Sequence, residues 1–273
     1  MRRLTVRSLT IAALAGILGV LALPPPLGAT GARESVAIPV RSIEFRIRAD
    51  VHPHAQPKRA RVPVQLTVAG ELTGQKGVGP ALEELRLDMD RDLAFDLDQL
   101  PPCVSPSLDR AHSRIGGRGA SDEARAKCRS SIAARGEAKF LLAYPEKSPI
   151  PVVSDLTLFM GSTRDGIATL FLHAYITVPT PTAVIGAVEL KKVRDGRHGT
   201  RATIAMPKIA NGYGRLTSFN LTIPRWSTHE GERLSLVQLR CADGRLQIEG
   251  TSTFADGLMS TSTAVRPCKA IPD

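Results

Sequence analysis

Apolar and polar residues alternate along most of this chain with a period of two, which is typical of strands that bury one face. The clearest run covers residues 85–98, where leucine, methionine and phenylalanine fall on one face and aspartates fall on the other. Further strands of this kind are separated by turns that contain glycine. They are predicted over residues 36–48, 62–72, 138–144, 155–160, 167–176, 183–193, 200–206, 216–223, 234–241, 245–254 and 258–265. This spacing predicts an all-β fold, an antiparallel β-sandwich of about 10–12 strands.

One helix is expected to interrupt the strands. Ser121 is a suitable N-cap, two acidic residues follow it, and the composition favours a helix through Ala134. The segment carries Cys128, so a bond to Cys103 would attach this helix to the strand before it. The fold class is therefore completed by one short disulfide-linked helix.

The first residues have the layout of a secretion signal. A start with three arginines is followed by an apolar run over residues 9–23 and then by prolines and small residues. We expect a signal peptide over residues 1–29, with cleavage after Ala29 or Ala32. An uncleaved anchor is the alternative, although the run is shorter than the roughly 20 residues that span a bilayer. The protein is expected to be secreted, extracellular or in the cell envelope, with membrane contact through this segment only.

The rest of the chain, residues 30–273, is expected to form a single domain. The alternative is two lobes that meet near residues 149–151, where two prolines flank an isoleucine. Because no low-complexity linker or internal repeat divides the sequence, the single domain is preferred.

Four cysteines in an exported chain predict two disulfides. Three pairings are possible, of which the local one joins Cys103 to Cys128 and Cys241 to Cys268. If the last three strands form a simple meander, the outer two lie about 10 Å apart, which is too far for a disulfide. The second local bond would then require the last strand to bend or to cross to the facing sheet.

The charge is strongly basic. The whole chain carries a formal net charge of +10, and removal of residues 1–29, with three arginines and no acid, leaves +7. Such a charge allows an anionic envelope polymer or another envelope protein as partner, although a general richness in arginine is the stronger explanation. Nucleic acid is not expected, because one Trp and three Tyr offer few rings for base stacking.

The aspartates at 88, 90 and 92 are the candidate metal ligands. Asp88, Asp90 and Asp92 would lie about 6.7 Å apart along one strand face, and Ca²⁺ could relieve their repulsion. They do not continue as a calcium-binding loop, because Leu93 replaces the required glycine and Gln99 replaces the last glutamate. The alternative is a solvated strand face that resists edge pairing and binds no cofactor.

No nucleophile elbow, phosphate loop or dinucleotide motif is present, so no catalytic residue is assigned. The preferred function is non-enzymatic, a binding or structural role in the envelope, with the ligand-binding residues left open. One alternative is an envelope glycan hydrolase that uses a carboxylate pair drawn from Asp88, Asp90 and Asp155. Another is a calcium-dependent adhesion module.

Seven short segments together resemble a group of uncharacterised secreted β-rich proteins from high-GC Gram-positive bacteria. The segments are residues 100–103, 126–128, 171–175, 207–210, 218–223, 241–244 and 254–257. The resemblance as a whole extends over most of the chain after the signal. The resemblance implies export and a single scaffold, and it supplies no activity, substrate or catalytic residue.

Overall fold

The computed structural model describes residues 34–37, 43–74, 79–105, 108 and 112–272. The predicted signal peptide and both cleavage positions, after Ala29 and after Ala32, lie outside the described residues. By mutual contacts, Ala32–Asp273 form one compact unit. Within the described ranges, no helix is both long and apolar enough to cross a membrane.

The predicted all-β class is confirmed, and the described part of the chain contains twenty strands. They are β1 (Glu34–Ala37), β2 (Ile43–His52), β3 (Ala55–Pro57), β4 (Val62–Pro63), β5 (Gln65–Gly74), β6 (Leu82–Asp90), β7 (Leu93–Phe95), β8 (His112–Ile115), β9 (Ile132–Leu142), β10 (Ile150–Arg164), β11 (Ile167–Ile176), β12 (Thr182–Asp195), β13 (His198–Ala205), β14 (Gly214–Ile223), β15 (Ser227–His229), β16 (Glu232–Leu234), β17 (Val237–Leu239), β18 (Arg245–Phe254), β19 (Met259–Pro267) and β20 (Lys269–Ile271). Residues 149–151, the predicted meeting point of two lobes, lead into β10. The two-lobe alternative stays a prediction.

The sandwich is corrected to a near-barrel. Thirteen strands form one sheet in the order β1-β19-β18-β6-β13-β12-β11-β10-β9-β14-β5-β2, with β8 added beside β12. Because strands bury one face in either architecture, alternation does not distinguish them. The architecture depends instead on strand pairings such as β6 with β13 and β18, which join segments far apart in sequence.

The curled sheet is closed where β2 meets β18 and β19. The backbone N–H of Ile47 donates to the side-chain Oγ of Ser262 at 3.2 Å, in place of a backbone ladder. The ring of Phe45 lies over Gly250, so closely that an added Cβ there would come within 2.7 Å of it. Side-chain contacts therefore close this seam, which is why the sheet is a near-barrel.

Helix α1 spans Arg118–Lys127, and it begins and ends earlier than predicted. Gly117 is the N-cap and Ser121 lies inside the helix. The start is fixed by β8, which pairs with β12 and then turns through Gly116 in a left-handed conformation (φ 72°). Residues expected at the helix end instead begin β9, where Ala134 faces the apolar interior.

Both local disulfides form, with Cα–Cα distances of 5.1 Å for Cys103–Cys128 and 6.0 Å for Cys241–Cys268. The last three predicted strands do not form a simple meander, because β17 pairs with β4 and β7 instead. Cys241 then precedes β18 and Cys268 follows β19, at the shared end of two neighbouring strands. The last strand needs no bend or crossing.

The near-barrel has two ends that differ in cover. Strand β14 runs between them, from Gly214 to Ile223. Beyond Ile223, at the capped end, lie the small sheets β4-β17-β7, β15-β16 and β3-β20. The other end, where β14 begins, is called the Arg215 end below.

Candidate functional site

A cavity of about 130 Å³ lies inside the near-barrel. Every side chain that lines it is aliphatic, aromatic, a methionine or a proline, and one glycine completes the wall. Its lining draws on both apolar clusters of the interior, for example Leu85 of one and Phe140 of the other. The cavity therefore separates two packed regions.

The apolar lining follows from strand alternation. On β11, Leu170, Leu172 and Ala174 line the cavity, whereas His173 between them is buried beneath helix α1. The pattern that predicts the strands thus also makes the cavity lining free of polar side chains. A cavity of this kind stays dry and takes up apolar molecules.

The cavity runs the length of the near-barrel. At the capped end its lining includes Leu97 and Leu236, and at the Arg215 end it includes Met206 and Leu216. Along β14 the lining extends from Leu216 to Ile223, a span of about 23 Å at the usual rise per strand residue. Its shape suits an elongated ligand.

The capped end is closed by backbone hydrogen bonds and a disulfide. The N–H of Val64 donates to the carbonyl of Val237 at 3.0 Å, and that of Asp96 donates to Leu236 at 3.0 Å. The Cys241–Cys268 bond joins the chain next to them.

At the Arg215 end a single guanidinium joins two segments. Arg215 Nε donates to the carbonyl of Gly79 at 3.0 Å, and Nη1 donates to the carbonyls of Gly214, at 2.9 Å, and Gly212. A second cavity of about 60 Å³ is lined by Arg215 and by Leu216, which also lines the main cavity. A polar group therefore stands directly beside the apolar space.

The three candidate metal ligands are buried, which makes the solvated-face interpretation wrong. Asp88, Asp90 and Asp92 are 2%, 1% and 3% exposed. Each has its own arginine partner: Asp88–Arg201 at 2.5 Å, Asp90–Arg197 at 2.8 Å and Asp92–Arg240 at 2.8 Å. Alternation correctly placed these acids on the outer face, but arginines of β13, of the turn before it and of the segment after β17 cover that face.

Backbone donors occupy other lone pairs of this aspartate row. Asp90 accepts from the N–H groups of Asp92 and Gln247, both at 3.0 Å, and Asp92 accepts from Ala242 at 3.0 Å. The described residues contain no group of three or more His, Cys, Asp or Glu side chains placed to hold a metal ion. Calcium binding stays a prediction without a cluster to carry it.

Arg197 connects this row to the surface. It makes two hydrogen bonds to the carboxylate of Asp243, at 2.6 and 3.1 Å. Those bonds raise the pKa of Arg197 and lower the pKa of Asp243. The arrangement pairs the positive charge of Arg197 with the negative charge of Asp243 at the surface.

Asp155, the third acid of the hydrolase alternative, is exposed on β10 opposite Glu137. Strands β11, β12 and β13 separate β10 from β6, which carries Asp88 and Asp90. Four strand spacings amount to about 19 Å along the sheet. Glycosidase carboxylates lie roughly 5–9.5 Å apart, so the structure does not bring Asp155 together with Asp88 or Asp90 as a catalytic pair.

His173 and Ser121 form a buried pair that the sequence analysis missed. His173 Nε2 lies 2.9 Å from Ser121 Oγ, beneath α1. Burial and the nearby charge of Arg125 lower the pKa of His173 to about 4. Both residues are 2% exposed or less, so the pair links α1 to β11 and is closed to a substrate. A lone histidine at an outward strand position gave no signal of this contact.

The fold and cavity together define an all-β, disulfide-bonded near-barrel with an apolar interior. No protein-family model, curated protein or solved structure matches this chain. The resemblance to secreted proteins of high-GC Gram-positive bacteria stays a prediction.

Proposed function

We propose that this chain is a non-enzymatic binding protein that holds one apolar ligand inside its near-barrel. The observation that carries the proposal is the continuous apolar lining of a cavity that runs from end to end. Two disulfides are typical of proteins outside the cytoplasm, and we place this binding role in the secreted or envelope compartment. An anionic envelope polymer or another envelope protein stays the predicted partner.

The size of the cavity supports a small ring or a short alkyl chain. An engineered apolar cavity of about 150 Å³ binds benzene, and the present one is close to that volume. Met89 and Met206 in its lining are flexible side chains that adapt to guests of different shape.

The energetics favour an occupied cavity. At about 24 cal/mol per Å³, an empty space of about 130 Å³ corresponds to about 3 kcal/mol of lost packing. A fully packed core would avoid that loss, so the cavity is consistent with a space kept for a ligand.

Filling the cavity tests the proposal. Ala202 lines it, whereas Ala205 on the same strand is exposed. Wild type is expected to bind the neutral fluorescent probe N-phenyl-1-naphthylamine, measured by fluorescence titration. Ala202→Leu should weaken binding at least tenfold and raise the free energy of unfolding by about 1 kcal/mol, because it fills empty space.

The matched control is Ala205→Leu, which adds the same atoms outside the cavity and should leave probe binding unchanged. Absence of probe binding by wild type, or equal affinity in the Ala202→Leu protein, would contradict the proposed function.

A further inference from the structure

Arg215 is a half-buried cation without an acidic partner among the described residues. Its hydrogen bonds go only to neutral carbonyl oxygens, of Gly79, Gly212 and Gly214. The segments that join β1 to β2 and β5 to Gly79, residues 38–42 and 75–78, contain no Asp or Glu in the sequence. A guanidinium partly removed from water is stabilised by a counter-ion, so this position favours an anion.

The carbonyls also fix the direction of the guanidinium. They engage Nε and Nη1, and Nη2 has no acceptor among the described residues. Nη2 therefore keeps two N–H groups for a ligand. The same side chain lines the smaller cavity, together with Thr73 and Thr217.

The smaller cavity adjoins the apolar one, since Leu216 lines both. Leu216 is therefore the partition between the two cavities, and a molecule with its head beside Arg215 reaches the interior of the near-barrel by displacing this side chain. From there the lining continues on β14 to Ile223 at the capped end.

We propose that the ligand is a single-chain anionic amphiphile, with a carboxylate or phosphate head on Arg215 and its alkyl chain in the main cavity. This inference rests on the proposed function, because it assigns the ligand class of the same cavity.

The lengths agree with this assignment. The stretch from Leu216 to Ile223 is about 23 Å along the strand, or about 18 Å along the axis at the usual strand tilt. One acyl chain accounts for half of a bilayer core of about 30 Å, or about 15 Å. The length of a single chain thus matches the distance from Arg215 to the capped end, and because its volume exceeds the empty space, the flexible lining side chains must move apart to admit it.

Three ligands with the same alkyl chain distinguish the contribution of the head group to affinity from that of the chain. They are dodecanoate, dodecyl phosphate and dodecanol. The affinity of each ligand is measured by its displacement of N-phenyl-1-naphthylamine from the full chain, at neutral pH and at ligand concentrations below the critical micelle concentration. Wild type should bind at least one of the anions tenfold or more tightly than dodecanol, because a charge-assisted hydrogen bond is added. The anion that is preferred identifies the head as carboxylate or phosphate.

Arg215→Gln should abolish that preference and leave dodecanol affinity unchanged, which also shows that the variant is folded. Arg215→Lys should restore part of it, since the charge returns. The matched control is Arg225→Gln at the capped end, whose Nε also donates to a carbonyl, that of Pro63 at 3.0 Å. It should keep the full preference.

The two proposals fail in different ways. If dodecanol binds wild type but neither anion binds more tightly, or if Arg215→Gln keeps the preference, the head-group assignment is overturned and the apolar site stands. If none of the three displaces the probe, the proposed function itself is overturned.

Discussion

Buried ionisable side chains in this protein are accommodated in two ways. The aspartates at 88, 90 and 92 are each paired with an arginine that is itself partly exposed. His173 is instead kept neutral, with Nε2 against Ser121 and no cationic role. Ion pairing accommodates the aspartates on the outer sheet face. The burial of a neutral histidine makes the free energy of unfolding depend on pH.

Acidification should destabilise the fold through His173. Its pKa in the fold is about 4 and its ordinary value is 6.5, so between these pH values the unfolded chain binds a proton that the folded chain does not. The free energy of unfolding should therefore be fully maintained above pH 6.5 and fall by about 3 kcal/mol as the pH drops to 4. Urea unfolding at a series of pH values measures this loss.

His173→Gln should remove that part of the pH dependence, and His54→Gln, at an exposed position, should not. Identical slopes for the wild-type and His173→Gln proteins would show that the histidine is not the group that titrates.

At the residue scale, the sequence predicts which side of a strand a residue occupies but not what covers that side. Alternation placed Asp88, Asp90 and Asp92 together correctly. It could not reveal that Arg197 and Arg201, more than a hundred residues later, would lie against them. The acids were consequently interpreted as solvated or metal-binding.

At the scale of the elements, β2 differs from the other strands of the sheet. It closes the near-barrel against β18 and β19 without a regular ladder of backbone hydrogen bonds on that side. Besides the contacts of Phe45 and Ile47, Asp50 pairs with Arg266 of β19 at 2.7 Å. Each of these contacts depends on a particular side chain. The seam should therefore be more sensitive to substitution than an ordinary strand pair.

Gly250→Ala should weaken the seam. The new Cβ would meet the Phe45 ring at 2.7 Å, and overpacking of this kind costs about 1–3 kcal/mol of unfolding free energy. Thermal unfolding of the single variants and of the double variant with Phe45→Leu measures the coupling, and the smaller side chain should recover part of the loss.

Gly119→Ala is the control, since nothing lies within 4 Å of its added Cβ and it stands in α1. It should stabilise by about 0.5–1 kcal/mol, because alanine favours a helix. Additive effects of Gly250→Ala and Phe45→Leu would contradict the seam contact.

Element boundaries were predictable where alternation was long, as in β11, predicted and observed over residues 167–176. They were not predictable where tertiary contacts decide. Helix α1 begins where β8 leaves β12, and β17 departs from the expected meander to pair with β4 and β7. In both places the deciding partner is far away in the sequence.

For the whole molecule, the sequence indicated an all-β chain with local disulfides but gave neither the curl nor the cavity. Periodicity identifies Leu170 and Leu216 as inward-facing without giving the distance between opposite walls. That distance depends on how many strands pair in one sheet and on the closure at β2. The polar neighbour of the cavity, Arg215, also had no sequence signal, because its partners are backbone carbonyls.

Loss of the Cys241–Cys268 bond should affect both stability and ligand release. The bond closes a loop with a sequence separation of 27, which corresponds to about 3–4 kcal/mol of unfolding free energy. A Cys241→Ala/Cys268→Ala protein should lose that amount in urea unfolding. It should also release N-phenyl-1-naphthylamine faster in stopped-flow measurements, because the capped end is loosened.

Cys103→Ala/Cys128→Ala is the comparison, with a similar separation of 25 but a position over α1, outside the near-barrel. It should lose similar stability with little change in release. Equal acceleration in both double variants would argue against a role of the capped end in retaining the probe.

The difference between the two ends of the near-barrel has a consequence for how a ligand enters and leaves. One end is held by a covalent bond and by strand pairing, whereas the other lacks a disulfide among the described residues and is held by backbone hydrogen bonds, such as that of Ala143 to Tyr213, and by one arginine on three carbonyl oxygens. A ligand in this near-barrel would enter and leave through the Arg215 end. Its alkyl chain would enter before its head group, and the head group would leave first. Delivery would then be an exchange, in which the acceptor competes with Arg215 for the head before the tail can follow.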